Sequence, residues 1–157
     1  MLTNIRKPQP SDLNYLVDID LKCFEDNLSL DDWRDYLLGQ NYNILIGTLK
    51  TTPVGLIVWQ SNKISKIAVK PAYRHRGVGT KLLVAVENTL MQQGFDFITI
   101  DVPESLCCPG KPIDASGWLG NRRFKASKLI SKAGVFCGVV EDIICFEKRL
   151  SETVTYG

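Results

Sequence analysis

A basic, glycine-containing turn offers the clearest chemistry in this chain. Three basic residues at 74–76 are followed by Gly77 and Gly79, and apolar side chains recur at helical spacing from Val78 onward. The first N–H groups of a helix have no partner within that helix, and the helix dipole adds about half a positive charge there. Glycines allow a phosphate to approach these N–H groups closely. The turn therefore predicts a phosphate-binding site at a helix N-terminus.

Two common phosphate-binding sequences differ from this turn. A Walker P-loop has the order Gly-Lys-Thr/Ser, whereas the order here is Gly79, Thr80, Lys81. The dinucleotide-binding fingerprint Gly-x-Gly-x-x-Gly would require a glycine at the position of Leu82. A plain strand–turn–helix junction, in which the glycines serve only a tight turn, is the alternative that the glycines by themselves leave open.

The elements that position the turn are predicted from periodicity and from breakers such as proline and glycine. A β-prone run at 63–69 ends before Pro71, a helix follows at 77–93, and an alternating strand at 95–102 ends before Pro103. The remaining predictions are a strand at 2–7, helices at 11–23 and 30–38, a hairpin of strands at 42–49 and 54–59, an irregular stretch at 103–121, a helix at 122–133, and strands at 135–140 and 143–150.

Length and composition indicate one ordinary globular domain. The chain has 157 residues, and we expect a single domain over 1–157 with a frayed tail at 151–157. It contains five cysteines without Cys-x-x-Cys spacing and one histidine, so that neither a disulfide framework nor a metal site is expected. No run reaches the roughly twenty apolar residues of a membrane span, and the N-terminus lacks the apolar core of a signal peptide. These features predict a cytoplasmic protein with reduced thiols.

Several motifs together resemble those of the GCN5-related N-acetyltransferase (GNAT) family. The pattern Arg74-x-x-Gly77-x-Gly79, following Val69-x-Pro71, is similar to the acyl-coenzyme A motif of that family. The predicted order of elements, β-α-α-β-β-β-α-β-α-β-β, matches the family over nearly the whole chain. The resemblance implies an α/β (α+β) fold, in which a central mixed, mostly antiparallel sheet of about seven strands is flanked by about four helices.

The flanking sequences are similar to one branch of the family. Asp18-Ile19-x-x-x-Cys23-Phe24, with Trp33 following, looks like the opening of the ribosomal-protein and N-terminal amino acetyltransferase branch. The segment at 126–135 and Phe146-x-Lys148-x-Leu150 resemble the close of the family pattern. The resemblance implies an N-acetyltransferase that moves an acetyl group from acetyl-coenzyme A to a primary amine on a protein N-terminus, a lysine or a small molecule. A catalytically silent coenzyme A-binding domain of the same fold is the alternative.

The resemblance also implies which residues bind the coenzyme. Backbone N–H groups of the turn hold the pyrophosphate, and the preceding strand hydrogen-bonds the pantetheine. We interpret His75 as a coenzyme contact or a solvated side chain, not as a catalytic base. The implied coenzyme-binding residues are Ile67, Ala68, Val69, Arg74, His75, Arg76, Gly77, Val78, Gly79 and Thr80.

Other partners are less clearly indicated by the sequence. The expected partners are acetyl-coenzyme A and an amine-bearing protein, peptide or small molecule, and the expected state is a monomer or homodimer. A basic stretch at 122–132 could contact nucleic acid, but a solvated helix face or contacts with coenzyme phosphates explain it as easily. We therefore expect neither nucleic-acid nor membrane binding.

Two carboxylates are the candidate catalytic groups. By resemblance, Asp101 takes the position of the acidic residue on the strand after the long helix, and Glu104 is a second carboxylate nearby. A general base that works near neutral pH would need a pKa raised by burial, because that of aspartate starts near 3.9. Alternatively, Asp101 is a solvated strand residue or pairs with Arg122 or Arg123.

Two features depart from the branch pattern. Ile130 stands where the branch has a tyrosine that acts as general acid, and residues 106–121, within the irregular stretch 103–121, form an insertion. Long loops mounted on a rigid scaffold commonly supply specificity. We therefore expect residues 103–121 to select the acceptor.

Overall fold

A computed structural model describes residues 3–24, 28–106, 114–136 and 139–150 of the chain. Its strands form one seven-stranded sheet in the order β1-β2-β3-β4-β5-β7-β6. Every neighbouring pair is antiparallel except β4 and β5, which are parallel. The predicted order of elements and the mixed, mostly antiparallel sheet are confirmed. The elements are β1 Thr3–Arg6, α1 Leu13–Cys23, α2 Leu30–Leu38, β2 Asn43–Leu49, β3 Thr52–Gln60, β4 Lys63–Val69, α3 Val78–Gln92, β5 Phe97–Pro103, α4 Ala115–Asn121, β6 Lys125–Phe136 and β7 Val139–Arg149.

The helices cover both faces of the sheet because successive strand residues point to opposite sides. On one face, Leu16 of α1 and Trp33 of α2 pack against alternate residues of β2, β3 and β4. On the other face, Leu82 and Leu83 of α3 and Leu119 of α4 share a larger core with residues of β2, β3, β4, β5 and β7. Among the described residues, no helix is both long and apolar enough to cross a membrane.

The two parallel strands are paired only at their beginnings. Lys63 lies opposite Thr99 and Ile64 opposite Ile100, and the pairing of β4 with β5 ends there. β4 continues along β3, while β5 continues along β7. In the pairing of β3 with β4, Val58 lies opposite Lys66 but Trp59 lies opposite Ile64, so β4 has a bulge between Ile64 and Lys66. The sheet is thus open between residues 65–69 of β4 and 101–103 of β5, a gap called here the β4–β5 opening.

The prediction for residues 103–133 was wrong in two respects. The helix expected at 122–133 is the edge strand β6, and a helix, α4, lies inside the stretch that was expected to be irregular. The side chain of Asp114 accepts a hydrogen bond from the Gly117 N–H and so caps α4. At its other end, Arg123 has a left-handed φ of 71° and the Phe124 N–H bonds the Leu119 carbonyl at 3.0 Å. This geometry ends the helix before β6 begins.

Two further expectations change with this correction. Ile130 lies in β6 opposite Ile143 of β7, so the helical conformation predicted for it is also wrong. The strand expected at 135–140 is divided between the end of β6 and the start of β7. The predicted tail at 151–157 lies outside the described residues, as do Cys107, Cys108 and Cys137.

Candidate active site

The turn between β4 and α3 is held in a defined shape by its own backbone. A short 3-10 helix at Pro71–Tyr73 leads into it, and the Arg74 side chain donates from Nε to the carbonyl oxygen of Val69 at 2.9 Å. His75 and Gly77 have left-handed φ angles of 64° and 82°. Gly77 is the N-cap of α3, and a Cβ built on it would have nothing within 4 Å. The N-cap of α3 therefore has open space on the side of the Gly77 Cβ position.

The next turn of α3 is packed against the sheet. Val78 is buried, and its Cγ1 lies 2.8 Å and 3.1 Å from Cβ atoms built on Gly47 and Gly55. Because any side chain at Gly47 would collide with Val78, these glycines let the helix N-terminus approach β2 and β3 closely. A Cβ on Gly79 would lie 3.3 Å from the ring of Trp118. The N-terminus of α3 is thus fixed between the sheet and α4.

Arg122 attaches α4 to this helix N-terminus, a feature that the sequence did not indicate. Its guanidinium donates to the Thr80 hydroxyl oxygen from Nε at 3.0 Å and from Nη2 at 2.7 Å. It also donates to the Trp118 carbonyl at 2.9 Å and lies 3.9 Å from the centre of the Trp118 ring. Arg122 therefore does not pair with Asp101, although one alternative from the sequence had proposed that ion pair. It joins α4 to the side of the turn at Gly79 and Thr80.

The structure brings the predicted coenzyme-binding residues together around the end of β4 and the start of α3. The side chains of Ala68 and Val78 are buried in the two cores, so only their backbone can face a ligand. His75 and Arg76 are exposed, and Arg76 lies 5.8 Å from the Tyr73 ring centre. Ile67, Val69, Arg74, Gly79 and Thr80 are partly exposed, and Gly77 is exposed.

Asp101 lies on β5 beside the β4–β5 opening, on the face of the sheet that carries α1 and α2. Its carboxylate is 24% exposed and forms an ion pair with the Lys63 ammonium at 2.5 Å. Burial raises the pKa of Asp101, but hydrogen bonds from Lys63 and Cys145 and the charges of Lys63 and Lys128 outweigh it. The pKa of Asp101 therefore lies below its ordinary value, in the direction opposite to the expected one.

Glu104, the second candidate, lies just beyond the end of β5. It begins a short 3-10 helix at Glu104–Leu106 and is exposed. That helix is tied to β7 because the Glu141 carboxylate accepts from the Ser105 N–H at 2.9 Å and from its hydroxyl at 3.0 Å. Of the two carboxylates, Asp101 is the one in contact with groups from two neighbouring strands, Lys63 of β4 and Cys145 of β7.

A buried polar cluster on the same face joins α1 to β4, and sequence reasoning missed it. Asp20 is 1% exposed, and its carboxylate accepts from Lys66 Nζ at 2.5 Å, from Trp33 Nε1 at 2.9 Å and from the Leu28 N–H at 2.8 Å. Lys66 also lies 4.7 Å from the centre of the Phe24 ring. Periodicity treats aspartate and lysine as solvated, so it gave no signal for this cluster. The cluster fixes the end of α1 over the bulged part of β4.

Comparison with known proteins places the chain in a family. The profile of a family described as "Acetyltransferase (GNAT) domain" matches residues 9–106, more than half of the chain. No curated protein sequence matches the chain.

Solved structures share the fold. The ribosomal-protein-S18-alanine N-acetyltransferase from Escherichia coli is 17% identical, covering 99% of this chain and 100% of its own, with a TM-score of 0.78. Arabidopsis thaliana NAA60 in complex with acetyl-CoA is 13% identical, covering 96% and 99%, with a TM-score of 0.80. An N-acetyltransferase from Staphylococcus aureus Mu50 is 16% identical, covering 96% and 99%, with a TM-score of 0.76. The match to the family profile shows that the chain belongs to the GNAT family of acetyltransferases.

Proposed function

We propose that this protein transfers the acetyl group of acetyl-coenzyme A to a primary amine at the β4–β5 opening. The observation that carries the proposal is the opening itself, which exposes strand edges next to a helix N-terminus with free space at Gly77. A pyrophosphate fits the helix N-terminus, because N–H groups there favour an anion. An extended chain that contains amide groups fits the strand edges, because these carry unpaired N–H and C=O groups.

Each part of the site has a proposed role. The turn at 74–80 binds the pyrophosphate, and β4 residues 67–69 orient the pantetheine arm. The thioester supplies an acyl carbon that amines already attack. The acceptor nitrogen bonds to this carbon, the carbon–sulfur bond breaks, and one proton leaves the nitrogen. Holding the two reactants in this geometry can by itself account for about 7–11 kcal/mol of the barrier.

Asp101 is proposed to hold the acceptor amine and to receive its proton through water. Its lowered pKa keeps the carboxylate ionised at neutral pH, so that Asp101 can orient an ammonium group. The same lowered pKa makes the carboxylate a weak base. Ile130 is not needed for the reaction in this scheme, because a thiolate with a conjugate acid pKa of about 8.5 leaves readily near neutral pH.

Replacing Asp101 by asparagine should lower kcat/KM for the acceptor about 10²-fold, the lower end of the range for general acid–base groups. Release of the coenzyme thiol from acetyl-coenzyme A in the presence of a panel of amines measures this. In the wild type, kcat/KM should rise with pH as the acceptor amine loses its proton. The ionisation of Asp101 should not change kcat/KM between pH 6 and 8, because the pKa of Asp101 lies below its ordinary value.

Two control variants make this experiment specific. Asp35→Asn removes an exposed carboxylate from α2 and should leave the rate unchanged. Glu104→Gln tests the second candidate directly, and a larger loss there than in Asp101→Asn would reassign the catalytic carboxylate. If the wild type binds the coenzyme but transfers acetyl to none of the amines, the catalytically silent alternative is correct instead.

The proposed setting is the cytoplasm. Cys23 and Cys145, the cysteines within the described residues, are free thiols. Reduced thiols are the usual state of cysteines in that compartment.

A further inference from the structure

The acceptor can reach the β4–β5 opening from one face of the sheet. On β5, Ile98, Ile100 and Val102 point into the core beneath α3 and are buried. Thr99 and Asp101 alternate with them and point to the other face. The groups that meet an incoming amine are therefore those on the face of Asp101.

The charges at that entrance are mostly positive. Lys63 contacts Asp101 from β4, and Cys145 lies directly opposite Asp101 on β7. Lys128 of β6 lies opposite Cys145, so that two strand spacings, about 10 Å in total, separate its backbone from that of Asp101. A lysine side chain spans a distance of this order, and the charge of Lys128 acts on Asp101. Lys128 is exposed, and no ion pair among the described residues involves it.

Most neighbouring carboxylates on this part of the sheet have other partners. Among the described residues, none of them forms an ion pair with Lys128, and each one contacts or faces another group. Asp20 binds Lys66, Glu141 binds Ser105, Asp142 accepts from the Lys132 N–H, and Glu147 lies opposite Lys125 and Thr99.

We propose that the acceptor carries a carboxylate next to its reacting amine and that Lys128 binds this carboxylate. The proposal rests on acetyl transfer at the β4–β5 opening and names the class of acceptor. Asp101 holds the amine end, and Lys128, across β7, holds the acid end. An amino acid and a peptide with an acidic residue after its N-terminal residue both have this chemistry. Because Lys128 is solvent-exposed, the preference weakens as salt increases.

Matched acceptors test this directly. Alanine is compared with alaninamide, and alanyl-aspartyl peptide amide with its alanyl-asparaginyl and alanyl-lysyl counterparts. The two sets distinguish a free amino acid from a peptide. In at least one set, the carboxylate-bearing acceptor should have about tenfold or greater kcat/KM, as expected for one charge-assisted hydrogen bond. The same order should appear in calorimetric binding of these amines to the protein loaded with coenzyme A, which requires no turnover.

A set of variants distinguishes the effect of Lys128 itself from the effect of the protein's net charge. Lys128→Glu should abolish the preference, and Lys128→Gln should reduce it, while the affinity for coenzyme A stays unchanged. Lys50→Glu makes the same charge change in the turn between β2 and β3 and should keep the preference.

Each outcome decides the proposal. A preference that survives Lys128→Glu, or equal binding of acidic and neutral amines by the wild type, overturns it. Preferential binding of the acidic amine that depends on Lys128, without any acetyl transfer, upholds the inferred acceptor class and refutes the transfer reaction itself.

Discussion

Replacing Glu87 by alanine should lower the free energy of unfolding by about 3–5 kcal/mol, because it leaves the Lys148 ammonium buried without its counter-ion. Glu87 of α3 and Lys148 of β7 form an ion pair at 2.5 Å inside the larger core, and both side chains are 0% exposed. Lys148 also lies 5.9 Å from the centre of the Phe124 ring. Urea unfolding followed by circular dichroism measures the change.

A double-mutant cycle shows whether the loss reflects the pair or the packing. Glu87→Leu combined with Lys148→Met should restore most of the stability, because well-packed apolar residues often replace a buried pair without cost. Asp31→Ala is the matched surface control. It breaks an exposed ion pair with Arg34 on α2 and should change stability by less than about 1 kcal/mol. Additive losses in the double variant would contradict a coupled ion pair.

Gly77→Ala should remove most of the stabilisation that coenzyme A gives to the protein. A ligand at a hundred times its dissociation constant adds about 2.7 kcal/mol to the free energy of unfolding. An alanine at φ 82° is strained, and its methyl group would occupy the open space at the N-cap of α3, where the pyrophosphate is proposed to bind. The loss of affinity should exceed tenfold, or about 1.4 kcal/mol. Thermal unfolding with and without coenzyme A measures it.

Gly94 provides a control with the same backbone strain. It has a φ of 88° at the other end of α3, and a Cβ there would also have nothing within 4 Å. Gly94→Ala should therefore destabilise the free protein by about as much as Gly77→Ala, roughly 1–2 kcal/mol. Its response to coenzyme A should remain that of the wild type. Equal responses in the two variants would place the coenzyme elsewhere.

Sequence patterns predicted the helices of the first two-thirds of the fold well because each of these helices has one buried and one exposed face. The helix predicted at 77–93 is Val78–Gln92, with its buried side chains at helical spacing. β6 lacks such a pattern because it is an edge strand, with Leu129 58% exposed. Register shifts at Ala126/Lys128 and Ile130/Gly134 also interrupt its period of two. Its apolar residues could therefore be mistaken for one side of a helix.

The turn at 74–80 was easier to identify in the sequence than the groups around it. Its glycines and basic residues are contiguous, whereas the site also depends on residues that only the fold brings together. Lys63 and Asp101 meet because two parallel strands pair in one particular register. Trp118 reaches Gly79 through α4, a seven-residue helix containing two glycines, whose low helix propensity hid it from prediction.

The limited pairing of β4 with β5 also affects how the molecule opens and closes. Only two register positions connect the sheet's first four strands to its last three, so backbone hydrogen bonds contribute little to the cooperativity between these halves. Side chains of α3 must supply it, since the core beneath this helix contains Val54 and Ile57 from one half and Ile98 and Phe146 from the other. A ligand that hydrogen-bonds both strands would act as an additional strand. It would join two folding units, and slow amide hydrogen exchange along both edges at once.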